Sequence, residues 1–224
     1  MASIVQRTSF RLGTGTSISG AFASNLASGN IIVVTVGGNN NAADVTPVSV
    51  ADTQSNTYTQ AAAVNETGAG QKGDYEAVFY ATAKSGADTV SATASAALNP
   101  AFLGIYELSN VTTADLVVSS GTNTGASGSV ASFTAYTNGI AIAMASNLSD
   151  STLTAGTNYT LLNGGSNQTD SQFSTTIAGA NTAPIFFSVS GHNGEALADF
   201  KSTAVAIFLQ SGPKRQYRRE GFRR

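Results

Sequence analysis

Apolar and polar residues alternate with a period of two along much of this chain. That spacing lines one face of a β-strand and does not fit a helix. Val90, Ala92 and Ala94 share one face of the segment 89–95, and hydroxyl side chains fill the other. Tyr75, Ala77, Phe79, Ala81 and Ala83 alternate with Glu76, Val78, Tyr80, Thr82 and Lys84. Ile140, Ile142 and Met144 stand opposite Ala141, Ala143 and Ala145, and Ile185, Phe187 and Val189 stand opposite Phe186, Ser188 and Ser190. The run 31–36 is apolar at nearly every position, which predicts a central strand covered on both faces.

Further strands are predicted at 4–10, 48–51, 58–64, 102–108, 116–119, 130–136, 159–162, 172–177 and 198–209. Turn residues separate them at 37–41, 52–56, 84–88, 99–100, 163–165 and 191–194. No helical period runs beyond about two turns, and the nearest candidate is 21–27. The pattern predicts an all-β chain of about twelve strands, an antiparallel β-sandwich with jelly-roll-like character. A body over residues 1–211 ends at Ser211-Gly212-Pro213, where Gly and Pro both interrupt a ladder. Two echoes, Asn56-Thr57-Tyr58-Thr59 and Asn158-Tyr159-Thr160, fit equivalent corners of two similar sheets or the ordinary chemistry of turns. In the absence of a strict repeat, turn chemistry is the preferred reading.

Charge divides the chain unevenly. Residues 212–224 carry six of its 11 Lys and Arg and one of its 13 acids, so this tail is +5 and the body −7. Blocks of one sign at a chain end mark interaction tails. Lys214, Arg215, Arg218, Arg219, Arg223 and Arg224 are the cations, with Tyr217 and Phe222 between them. Arginine forks fit carboxylates and the two rings supply anchors, so docking onto an acidic groove of a protein is the favoured role. Nucleic acid ranks behind it, and a solvated tail without a partner is the plain alternative.

The chain has no Cys and a single histidine, His192, which excludes disulfides, thiolate metal sites and histidine clusters. His192 is read as a solvated turn residue. No Gly-x-Ser-x-Gly elbow exists to serve a triad. The segment 67–73 has glycines and Lys72 without the order of a phosphate-binding loop. Glu76 and Glu107 are the one pair of acids considered for glycoside chemistry, and both are expected to be outward-facing solubilising charges. Asp52 and Asn56 offer too few oxygens for calcium. Tyr58, Tyr75, Tyr80, Tyr106, Tyr136 and Tyr159 are expected to be half-buried with wet hydroxyls, and the absence of Trp counts against a sugar platform. Five glycosylation sequons, at Asn65, Asn110, Asn147, Asn158 and Asn167, are chance matches in a chain rich in Asn and Thr. No catalytic residue, metal site or cofactor is therefore expected. Residues 1–13 lack the apolar core of a signal peptide, and no apolar run spans a membrane.

The order of pieces resembles a loosely defined family of β-sandwich domains. It runs through Gly29-Asn-Ile-Ile-Val-Val, Val48-Ser-Val-Ala-Asp with Asn56-Thr-Tyr-Thr, Tyr75-Glu-Ala-Val-Phe-Tyr-Ala, Asp88-Thr-Val-Ser-Ala-Thr, Leu103-Gly-Ile-Tyr-Glu-Leu-Ser and Gly156-Thr-Asn-Tyr-Thr. Members occur in bacterial extracellular proteins and in uncharacterised bacteriophage structural proteins. The resemblance covers most of residues 1–210, implies the fold and carries no catalytic residues. With the basic tail and the missing signal peptide, the expectation is a non-enzymatic bacteriophage structural protein made in the host cytoplasm and located in the virion. Capsid decoration or head fibre leads, with a tail or collar component next. Its partners would be other virion proteins or copies of itself as a homo-oligomer, with no membrane. The alternative is a bacterial extracellular adhesin or carbohydrate-binding module, and glycan binding belongs to that reading.

Overall fold

The computed structural model describes residues 1–40, 48–66, 74–147, 152–163, 169–183 and 185–203. Sixteen strands and no helix run through them. The first eight are β1 (Ser3–Leu12), β2 (Gly15–Ala21), β3 (Ile31–Asn39), β4 (Val48–Asp52), β5 (Thr59–Glu66), β6 (Asp74–Thr82), β7 (Thr89–Leu98) and β8 (Ala101–Ser109). The second eight are β9 (Val111–Gly128), β10 (Phe133–Ala135), β11 (Ile140–Asn147), β12 (Leu153–Ala155), β13 (Thr160–Leu161), β14 (Thr169–Ser174), β15 (Gly179–Asn181) and β16 (Ile185–Ser202). All pairings are antiparallel.

The sheets stack. The sheet β1-β8-β3-β6-β5 carries the sheet β2-β7-β4 on its outer face. Ile32, Val34, Phe79, Leu103 and Ile105 pack there against Ile18, Val48, Val90 and Ala92. Its inner face sets Val33, Val78, Phe102, Tyr106 and Leu108 against Ile142, Met144, Phe173, Ala198 and Phe200 of the sheet β12-β16-β11-β14-β13, to which β9 adds along β16. The far side of that sheet packs Ala141, Ala143 and Leu197 against Val130, Phe133, Tyr159 and Ile177, around the ribbon β10-β15. Every position of β3 is buried, as a strand covered on both faces requires. Every position of β11 is buried too. Its alanine face is covered by this chain's own ribbon, and the short side chains let that ribbon come close.

The strand order runs twice. The order β1-β8-β3-β6-β5 returns as β9-β16-β11-β14-β13, and the pair β2-β7 returns as β10-β15. Register repeats with it. One rung crosses Arg7, Tyr106, Val33, Tyr80 and Thr59. Its counterpart crosses Val118, Ala198, Ile142, Phe173 and Thr160. Thr59 and Thr160 end the two Asn-Tyr-Thr echoes, so these echoes occupy equivalent corners and the preference for turn chemistry is corrected. Contacts between the halves repeat as well: β6 lies against β16 as β14 lies against β8, and β6 against β11 as β14 against β3. Reciprocal contacts of this kind define a two-fold relation, here within one chain. One departure exists, since β12, the counterpart of β4, pairs with β16.

Other expectations change. Residues 21–27 form no helix: β2 ends at Ala21, the Phe22 amide bonds to the Asp88 carbonyl, and Leu26 bridges to Gly86. The turn expected at 191–194 is strand, where β16 pairs with β9 after a register shift between Phe186 and Gly191. Glycine there serves close approach, because a Cβ at Gly194 would meet the Glu76 carboxylate. The segments expected at 185–190 and 198–209 are joined within β16 up to Ser202. The remainder, 204–209, lies outside the described residues.

Candidate functional site

The eight tail residues singled out for partner binding, Lys214, Arg215, Tyr217, Arg218, Arg219, Phe222, Arg223 and Arg224, lie outside the described residues. The pole at which β16 ends is described. The Ala2 amide donates to Ser202 Oγ at 3.1 Å, and Ser3 Oγ meets Ser109 Oγ at 2.8 Å. The Thr203 amide donates to the Asn110 carbonyl at 2.8 Å. The start of β1, the β8–β9 junction and the end of β16 are thus fastened together.

A groove of about 680 Å³ opens at this pole, lined by Met1, Ala2, Ser3, Ile4, Arg7, Asn138, Phe173, Thr175 and Thr176. Arg7 is exposed, and its guanidinium carbon lies 4.2 Å from the centre of the Phe173 ring. Phe173 is itself held edge-on by Tyr106, at 6.1 Å between ring centres. Further along β1, half-buried Arg11 stacks over Phe102 at 5.3 Å and donates to the Thr169 carbonyl. Burial lowers its pKa, with Asp170 opposing. Arg11 therefore ties the first half to β14 of the second.

Glu76 and Glu107 are not outward-facing charges. Both are buried, and they point to opposite sides of the sheet: Glu107 pairs with Ile32 on the outer face, and Glu76 pairs with Gly37 on the inner face. They cannot flank one glycosidic bond. Glu107 accepts from the Ala27 amide at 2.9 Å, Asn30 Nδ2 at 2.7 Å and Gln6 Nε2 at 2.7 Å. Asp199 does the same work in the second half, accepting from the Tyr136 amide at 2.7 Å. The tethered turns match: Asn30 donates to the Ala27 carbonyl and Gly139 to the Tyr136 carbonyl, with Gly29 at φ 86° and Asn138 at φ 62°. These carboxylates are structural ties at equivalent places. Glu107→Ala is expected to cost about 1–3 kcal/mol in a urea titration, because three part-buried donors lose their acceptor.

Burial raises the Asp199 carboxyl to about 6, against the Tyr136 amide that lowers it. An acid with a raised folded-state pKa stabilises the fold fully below its ordinary value of 3.8, and that contribution is lost as pH rises through about 6. Asp199→Asn should therefore exceed the parent in stability at about pH 8 by about 1–3 kcal/mol, and match it near pH 4. Urea midpoints at the two pH values check this. Glu195, fully buried on the same face, is pushed well above the carboxylate range by burial, opposed by the hydrogen bond from Gln172 Nε2 at 2.8 Å.

The Asp52 turn closes on itself. The Asp52 carboxylate accepts from the amides of Gln54 and Asn56, from Asn56 Nδ2 and from the Tyr58 hydroxyl. Burial pushes Asp52 up, but these donors outweigh it and hold the carboxyl below its usual range. An acceptor so occupied has no lone pair aimed at a cation. Asn56 Oδ1 accepts from the Lys84 amide, and Lys84 Nζ caps the carbonyls of Gln54 and Ser55. Among the described residues no group of three His, Asp or Glu side chains is placed to hold a metal. The Tyr106 hydroxyl, expected to be wet, is buried on Ser171 Oγ at 2.6 Å, and Tyr75 and Tyr159 are buried as well. His192 lies in strand, its backbone paired with Thr124. The segment 67–73 is outside the described residues.

The groove with its stacked arginine was invisible in the sequence, because Arg7 and Phe173 come from different halves. The paired carboxylate ties had a faint signal: Gly29-Asn30 and Asn138-Gly139 each precede an isoleucine that opens a central strand. No protein-family model, no curated protein and no solved structure matches this chain.

Proposed function

We propose that this chain is a non-enzymatic structural component of a bacteriophage particle, a capsid decoration or head-fibre protein, held by its basic C-terminal tail. The body stands outside, and residues 212–224 grip another virion protein or a neighbouring copy. The observation that carries this reading is the charge split, +5 in the tail against −7 in the body. The strand order supports it. In the first half 1-8-3-6-5 packs on 2-7-4, an order that resembles a jelly roll except at strand 5, and jelly rolls are an architecture of viral capsid and lectin domains. Two related halves packed face to face make a layered stack of sheets suited to repeated display. Of the acids considered for chemistry, Glu107 holds a turn and Glu76 is buried on Ser146 between the halves, which favours a scaffold over a catalyst.

The lectin side of that architecture, with a groove of ligand-pocket size at the pole where β16 ends, supports the second reading, an extracellular adhesin or carbohydrate-binding module. Truncation after Ser211 separates the two. A particle protein loses attachment with its body still folded, whereas a glycan-binding module keeps its ligand.

A further inference from the structure

The tail is not the only cationic feature of this chain, and the body carries a second one that is already shaped. Arg7 lies flat on Phe173 at 4.2 Å and opens onto the groove. Its guanidinium makes no hydrogen bond or ion pair among the described residues. Stacking fixes the plane of the fork while leaving its N–H edges available, which is the state in which an arginine receives a carboxylate with little ordering cost. Hydroxyls and an amide surround it: Ser3, Thr175, Thr176 and Asn138. These suit the backbone of an extended segment. Ala2, on the groove wall, is bonded to Ser202, next to the last described residue, Thr203. The groove therefore adjoins the end of β16, the last strand before the tail.

The second half supplies an internal control. The position equivalent to Arg7 is Val118, on the same rung of the repeated sheet. Both side chains are exposed, Val118 at 47%. A valine at that place serves the sandwich equally well, so the fold does not demand an arginine.

We infer that the Arg7 groove binds an acidic segment of the same protein partner that the tail grips, with an Asp or Glu side chain forked on Arg7. The inference rests on the docking reading above and adds a body contact to it. A second contact, made by the body itself, would also set the angle at which the body stands.

The test compares full-length protein, Arg7→Ala, Arg7→Lys, Val118→Ala and the truncation after Ser211, each sedimented with purified particles. Arg7→Ala is expected to weaken binding about tenfold, Arg7→Lys to restore little because it lacks the fork, and Val118→Ala to change nothing. Unchanged binding by Arg7→Ala with loss on truncation overturns the groove and leaves the tail reading standing. Unchanged binding on truncation with loss in Arg7→Ala overturns the tail reading and leaves the groove. A second probe removes any effect of altered folding on the particle. In full-length protein whose six tail cations are changed to Gln, a hexaglutamate peptide should bind saturably, and Thr175→Trp, which narrows the groove, should block it. Failure of hexaglutamate to bind, or preference for an acidic oligosaccharide over it, overturns the proposal.

Discussion

Phe200→Ala is expected to destabilise the protein by about 3–5 kcal/mol, the range for deleting a fully buried aromatic side chain. Phe200 has no exposed surface, and it meets Tyr80 edge-on at 6.2 Å across the face where the two halves pack. Its loss removes apolar burial, an aromatic contact and the register between β16 and β6 at once. The face is shared, so the two halves should unfold together in one transition, shifted to lower urea with little change in slope. Val118→Ala, at an exposed edge, should change stability by less than about 0.5 kcal/mol. Urea titration followed by tyrosine fluorescence reads both. A loss below about 1 kcal/mol for Phe200→Ala would mean that the face-to-face stack is not the core of the molecule.

Much of this fold was written in the alternation of side chains. The central strand β3 declared itself because Ile, Val and Thr fill both of its faces. In β11 the alternation of Ile or Met with Ala looked like one strong and one weak face, yet both are buried, since a shallow ribbon covers the alanines. The strands β2, β12 and β15 escaped because they are short or rich in Ser, Thr and Gly, whose local chemistry also favours turns. The long strands β9 and β16 looked like fragments for the same reason. Gly121 and Gly194 sit where another backbone or a carboxylate crowds the strand, so they mark close approach rather than chain reversal. The internal duplication was nearly silent. Buried positions in the two halves keep their pattern while exchanging identity, as Tyr106 does for Ala198 and Tyr80 for Phe173.

The candidate site was legible in a different proportion. The tail was plain from charge alone. The groove beside it needed the fold, because β1 and β14 are brought together only by the packing of one half on the other. Glu107 drew notice as an acid in an apolar strand, and its burial has a cause that composition could not supply: it completes the turn that launches β3. Asp199 completes the matching turn before β11. Glu107 and Asp199 fasten loops, and Glu76 and Glu195 are buried on strand residues Ser146 and Gln172, which is why a count of acids overstated the chemistry on offer.

Removal of residues 212–224 has the largest expected effect on function. The body ends its described course at Thr203, fixed to Asn110 by a backbone hydrogen bond, and among the described residues its cores are built from Ala2 to Phe200. The urea midpoint should therefore stay within about 0.5 kcal/mol of the parent. Attachment should collapse. Six cations gripping an acidic surface act together, and their loss removes both the affinity and its salt dependence. Full-length protein should accordingly leave the particle as salt rises from about 0.05 to about 0.5 M, at constant fold.

The most direct measurement is co-sedimentation of residues 1–224 and 1–211 with particles purified from cells carrying the gene, with light-scattering mass recorded for each protein alone. The account predicts that the full chain pellets at a saturating ratio and that the truncated chain, folded to the same midpoint, stays in the supernatant. Equal pelleting of the two, or no pelleting of either, would contradict it.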